Sequence, residues 1–266
     1  MVKKLVTLGC SHTLGSYLDT PGNSRRELEQ CHSRSWSRKL ATLLGTEQEF
    51  NLSINGGSNA RSIRVLMEWI KQTYNDKFED PDLLIVFSIT EPIRFEIPVN
   101  ADLTPGIIPN TLSLGNDKIN DEWTTHRAGP WEINTCHNIN YSEYIKNHYG
   151  LFNNDEHEYK ILTHKLVMLH YFLKSHNIKH YFFHGIDVSD FYKPFMPAFV
   201  KLPIIKLTRK DDRDFETNAF GPGGFLTSNG FNRGLDVKPR SGCAHFDHDG
   251  NQFLAEYIYK QIKDEI

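Results

Sequence analysis

The chain has 266 residues, 39% of them apolar and 12% aromatic, which is enough to fill a core and excludes a disordered protein. Its 30 basic and 33 acidic residues leave a net charge of −3 with no run of Lys or Arg, which argues against a protein that tracks nucleic-acid phosphates. No apolar run approaches ~18 residues, and Cys10 and Ser11 arrive before any stretch of signal-peptide length, so the expectation is a soluble, cytoplasmic protein with no membrane partner. Four cysteines are too few for a disulfide framework and read as free thiols or ligands.

Leu5 to Leu8 is a short apolar run ending in Gly9, the pattern of a buried parallel strand. Trp36, Leu40, Leu43 and Leu44 recur at helical spacing, and Gly45 stands where such a helix stops. Phe50 to Ile54 predicts a second strand. From Asn59, residues Ile63, Leu66, Met67 and Ile70 form an apolar helical face with Ser58 or Asn59 as its N-cap. Leu83 to Phe87 is the third and most apolar strand. Residues 92–154 then show no sustained periodicity but contain Pro92, Pro98, Pro105, Pro109 and Pro130, which suggests a lid or binding excursion. A helix over 156–175 with Ile161, Leu162, Leu166, Leu169 and Leu173 inward is followed by a strand over 178–183. A second irregular region, about 186–242, holds a possible edge strand at 203–207. The last helix, about 249–263, buries Phe253, Leu254, Tyr257, Ile258 and Ile262. Alternating strands and helices without a linker predict a single α/β domain over 1–266 with a mostly parallel sheet.

In such a sheet, ligands collect beyond the carboxyl ends of the strands at a topological switch point. Three segments rich in small and polar residues compete for that place: Gly9 to Thr13, Asn55 to Asn59, and Ser88 to Glu96. A serine after a strand, beside glycine-rich turns, has what acyl transfer requires: a hydroxyl to attack and backbone N–H groups to receive the oxyanion. The same serine can equally serve as a helix cap.

Read in order, the segments resemble SGNH/GDSL hydrolases. Gly9-Cys10-Ser11-His12-Thr13-Leu14-Gly15 is similar to the first block of that family in its bacterial and phage form. The helix over 35–45 resembles the one that follows it, Asn51 to Arg61 the second block, and Leu84 to Glu96 the third. The run from His245, with Gly250 and Ala255 at +5 and +10, is similar to the last block. The resemblance implies a flavodoxin-like three-layer α/β/α sandwich and a serine hydrolase needing no cofactor. It implies Ser11 as nucleophile, His245 as general base, and the N–H groups of Ser11 and Gly56 (or Gly57) as oxyanion donors, with Asn59 a possible side-chain donor. Ser88 or Thr90 stands near the place of the third-block Asn. Arg94 could supply positive charge or pair with Glu91 or Glu96.

The usual acid three residues before the histidine is Gly242 here, so Asp247, Asp249, another acid or none orients His245. The implied substrate is an ester of a carbohydrate or small metabolite, over which Trp123, Trp131 and Tyr141 of the excursion could fold. Two other readings stand beside it. One is a catalytically weak carbohydrate-binding module on the same scaffold. The other is a metal-dependent hydrolase, because Cys10, Cys31, Cys136 and Cys243 each have a histidine one or two places later. Neighbouring residues seldom share one metal, so no metal is expected. His164 and His170, on different faces of one helix, read as helix-surface residues.

Overall fold

The structure is a computed structural model that describes residues 1–15, 33–53, 57–74, 78–92, 94–98, 123–126, 155–186, 194–208, 217, 219–220, 224–231, 246 and 248–266. In chain order the elements are β1 (Lys4–Leu8), α1 (Ser11–Leu14), α2 (Trp36–Leu44), β2 (Gln48–Asn51), α3 (Asn59–Tyr74) and β3 (Leu83–Ile89). There follow β4 (Phe95–Pro98), β5 (Trp123–His126), α4 (Asp155–Ser175), β6 (Lys179–His184), α5 (Phe225–Ser228) and α6 (His248–Ile262).

Four strands form one parallel sheet in the order β2-β1-β3-β6. The chain steps from β1 to β2 on one side, then crosses to β3 on the other. That reversal gives the flavodoxin-like order and puts the switch point between β1 and β3. Every residue of β3 is buried, as a central parallel strand covered on both faces must be.

Alternation along the strands feeds two cores. Val6, Leu8, Leu83, Ile85, Phe87 and Ile89 pack with Val65, Leu66, Trp69 and Ile70 of α3 and with Leu162, Leu166, Leu169 and Leu173 of α4. Leu5, Leu84 and Val86 face Trp36, Leu40 and Ala41 of α2 and Leu254, Ala255, Ile258 and Ile262 of α6. The result is a three-layer α/β/α sandwich. No helix among the described residues is long and apolar enough to cross a membrane.

The helix ends follow local chemistry. Ser35 caps α2 by accepting from the Arg38 N–H at 3.2 Å, and Gly45 closes it in the left-handed region at φ 67°. Ser58, rather than Asn59, caps α3, accepting from the Arg61 N–H at 3.0 Å.

Several expectations shift. The second strand runs from Gln48 to Asn51, not from Phe50 to Ile54, because the Asn51 side chain turns the chain by accepting the Ser53 N–H at 3.1 Å. Met67 is exposed; the inward face of α3 is Val65, Leu66, Trp69 and Ile70. The stretch 203–207 makes only one bridge to β6, Phe182 to Ile204. The excursion carries an antiparallel pair, β4 with β5, that its irregular sequence did not announce. His170 is buried, not on the helix surface. Its Nδ1 lies 2.8 Å from Nε2 of His180, whose own Nδ1 lies 2.8 Å from the Ile178 carbonyl. A carbonyl only accepts, so His180 carries its proton on Nδ1, and His170 donates to the bare Nε2. Burial pushes His180 down to about 4, and the charges of His170 and Lys174 add to that, against the Ile178 hydrogen bond.

Candidate active site

β1 runs through Gly9 and Cys10 into a single helical turn whose first residue is Ser11. Cys10 is extended, and its carbonyl accepts from the N–H groups of Thr13 and Leu14, each at 3.0 Å. Gly15, at φ 82°, ends the turn by donating to the Ser11 carbonyl at 3.0 Å. Ser11 is thereby fixed and almost fully buried at the carboxyl end of β1.

The neighbouring strand ends press close. A side chain at Gly9 would lie 3.1 Å from the Ser88 Cβ and collide with the Thr13 hydroxyl. One at Gly185, just past β6, would collide with the Ser88 hydroxyl. Ser88 is therefore clamped between two glycines, and the exits of β1, β3 and β6 converge on it.

The second segment is tied to the first by Asn51, whose Nδ2 donates to the Thr13 carbonyl at 2.8 Å. Arg61, buried on α3, donates from Nη1 to the Leu52 carbonyl at 2.9 Å. Asn59 holds the Thr90 peptide on both sides: Nδ2 donates to its carbonyl at 2.8 Å and Oδ1 accepts its N–H at 2.9 Å. The Arg94 side chain is wholly shielded from solvent. Its Nε donates to Glu91 at 2.6 Å and its Nη1 to the Gly57 carbonyl at 3.3 Å, while Nη2 has no acceptor among the described residues. The sequence-predicted residues Ser11, Gly57, Asn59, Ser88 and Arg94 thus share the carboxyl rim of the sheet. Asn59 acts there as a brace between α3 and β3, and Arg94 pairs with one of the two acids expected for it.

Gly56, His245, Gly242 and Asp247 lie outside the described residues, as do Cys31, Cys136, Cys243, Trp131 and Tyr141. Phe246, however, is described. His12 stacks on Phe220 with ring centroids 4.4 Å apart and planes 10° apart, and Phe220 meets Phe246 at 6.2 Å. The residue after Ser11 and the residue after His245 are therefore joined through one aromatic ring. Asn251 on α6 adds a second fastening, accepting the Trp36 N–H and donating to the Phe246 carbonyl, both at 3.1 Å. Asp249 is 85% exposed, with His248 3.5 Å away. Among the described residues no three His, Cys, Asp or Glu stand where they could hold a metal ion.

Sequence reading missed Asn51, Arg61, Phe220 and Asn251. Asn51 and Asn251 lay inside the compared blocks without a role, while the Phe220 contact joins residues too distant in sequence to be foreseen.

Among solved structures, the chain is similar to the psychrotrophic esterase EstA from Pseudoalteromonas sp., at 10% identity and TM-score 0.45 over 98% of this chain and 97% of that one. It is also similar to a carbohydrate esterase described as having catalytic and non-catalytic binding functions, at 12% identity and TM-score 0.45, over 99% of this chain and 65% of that one. TesA matches at 12% identity and TM-score 0.44 over 99% of both chains. No curated protein matches. Residues 16–198, more than half of the sequence, match the family of unknown function DUF6071, and the chain belongs to that family.

Proposed function

We propose that the protein is a serine hydrolase of the SGNH type that cleaves an O-acyl ester of a carbohydrate or small metabolite. The observation that supports this reading is the His12–Phe220–Phe246 contact, which joins Phe246, next in sequence to His245, to the strand end bearing Ser11. In the proposed reaction the Ser11 hydroxyl attacks the acyl carbon while His245 takes its proton. The oxyanion is received by the N–H groups of Ser11 and of Gly56 or Gly57. His245 returns the proton to the departing alcohol, and water then releases the acyl group by the reverse exchange.

One observation favours a slow enzyme. Asn59 commits both its amide nitrogen and its amide oxygen to Thr90, so the oxyanion rests mainly on backbone donors. Ser11→Ala is expected to abolish hydrolysis of p-nitrophenyl acetate while leaving the protein folded, with a melting temperature within about 4 °C of wild type, since losing one buried hydroxyl costs about 1 kcal/mol. Wild-type turnover in that variant would reduce Ser11 to a structural residue and end the hydrolase reading.

A further inference from the structure

We propose that Arg94 and the first turn of α3 form a carboxylate-binding subsite, an inference that rests on the hydrolase reading and names the class of its substrate: an ester bearing an acidic group. The Arg94 side chain has no exposed surface. Its Nε is committed to Glu91 and its Nη1 to the Gly57 carbonyl, while Nη2, with two hydrogens to donate, has no acceptor among the described residues. A buried guanidinium left short of acceptors is destabilising, and a carboxylate supplies them.

More donors stand beside it. Gly57 leads through the cap Ser58 into α3 at Asn59. Ser58 accepts the Arg61 N–H, which leaves the N–H groups of Asn59 and Ala60 with no acceptor among the described residues. That first turn holds no acidic residue, so it lacks the carboxylate that commonly meets the positive end of a helix. The Thr90 hydroxyl, on the peptide that Asn59 grips, is buried and likewise without a partner among the described residues. Charge decides between anions. Glu91 balances the guanidinium, and the helix end adds about half a positive charge, which suits a singly charged carboxylate better than a doubly charged phosphate. Because the Gly57 N–H is a proposed oxyanion donor, an acid held by the group on its carbonyl adjoins the ester.

The test is calorimetric titration of butyrate, butanamide and inorganic phosphate into the wild-type protein, Arg94→Met and Ala60→Asp at low ionic strength. Wild type is expected to bind butyrate at least about tenfold more tightly than its neutral amide, and more tightly than phosphate. Arg94→Met removes the guanidinium and should bring butyrate and butanamide within about twofold of each other. Ala60→Asp keeps Arg94, places a carboxylate in the first turn where a helix favours one, and should have the same effect; it decides the matter should Arg94→Met not fold. Equal binding of butyrate and butanamide by wild type, a preference that persists in either folded variant, or tighter binding of phosphate overturns the proposal. Butyrate should also raise the KM for p-nitrophenyl acetate without lowering kcat, and binding without competition overturns the placement beside Ser11. Ser11→Ala run alongside separates the two claims, since titration needs no turnover. Turnover surviving there sinks the hydrolase reading, whereas an inactive Ser11→Ala beside a wild type indifferent to the charge of butyrate sinks this inference alone.

Discussion

The two ends of the parallel sheet are built on different terms. At the amino end, Asp80 receives Lys4 Nζ at 2.7 Å and the Tyr74 hydroxyl at 2.6 Å on one oxygen, and the Asp82 N–H at 3.1 Å on the other. Burial opposes the charged carboxylate, but the hydrogen bonds from Lys4 and Tyr74 and the lysine charge outweigh it, holding Asp80 below the usual range. At the carboxyl end, the Thr13, Ser53 and Thr90 hydroxyls and Arg94 Nη2 are buried without a hydrogen-bond partner among the described residues. Unpaired buried polar atoms are uncommon and destabilising. The difference teaches that one carboxylate gathers the polar contacts where these strands begin, whereas the strand ends mix braces such as Asn59 on Thr90 with buried polar atoms left without a partner among the described residues.

That contrast sorts substitutions by what they should damage. The largest effect is expected at the carboxyl end: His245→Ala should lower kcat/KM by roughly 10³ or more, while Asp249→Asn should cost less than about tenfold, because its carboxylate is exposed beside His248. Steady-state kinetics on a p-nitrophenyl ester decides it, and equal losses would make Asp249 part of the machinery. Next, Arg94→Met should cut kcat/KM by about tenfold or more, since it frees the Gly57 carbonyl and leaves Glu91 without its ion pair. Unchanged kinetics would make that pair merely structural.

The amino end should behave in the opposite way. Asp80→Asn is expected to lower the unfolding free energy by about 1–3 kcal/mol in urea titrations, with kcat/KM within about twofold. A loss of activity at full stability would erase the distinction between the ends. The last effect, on pH dependence rather than on activity, concerns His180. An unfolded histidine takes its proton near 6.5, while the folded one resists until about 4. The native state therefore binds fewer protons in that window, so this contribution to stability is complete above pH 6.5 and is lost as the pH falls towards 4. His180→Asn should flatten the pH dependence of stability across that interval, and a curve unchanged from wild type would remove the histidine pair as its source.

Much of the scaffold was legible because local rules govern it. Leu83 to Phe87, the most apolar run, read as a strand and is one, buried along its whole length, and Trp36 to Leu44 carried both its helical period and its stop at Gly45. The misplaced end of β2 came from a side-chain bond, Asn51 to Ser53, that apolar pattern does not register. The β4–β5 pair escaped for a related reason: its strands, four residues each, are too short to show a period. At the site, residue types and order pointed to Ser11, Asn59 and Arg94. What they do locally depends on partners 31 and 37 residues away, Thr90 for Asn59 and Gly57 for Arg94. Gly9 read only as the end of a strand, yet it and Gly185 answer to a close approach between strand ends around Ser88 that only the folded sheet creates.

The central claim is that Ser11 is activated by a histidine carried on the Phe246 segment. Its most direct test is covalent labelling of the wild-type protein with a fluorophosphonate, followed by peptide mass mapping, with His245→Ala treated in parallel. The account predicts one adduct per chain, located on Ser11, formed rapidly in wild type and at least about a hundredfold more slowly without His245. Label on another residue, or labelling of Ser11 at the same rate in the two proteins, would contradict it.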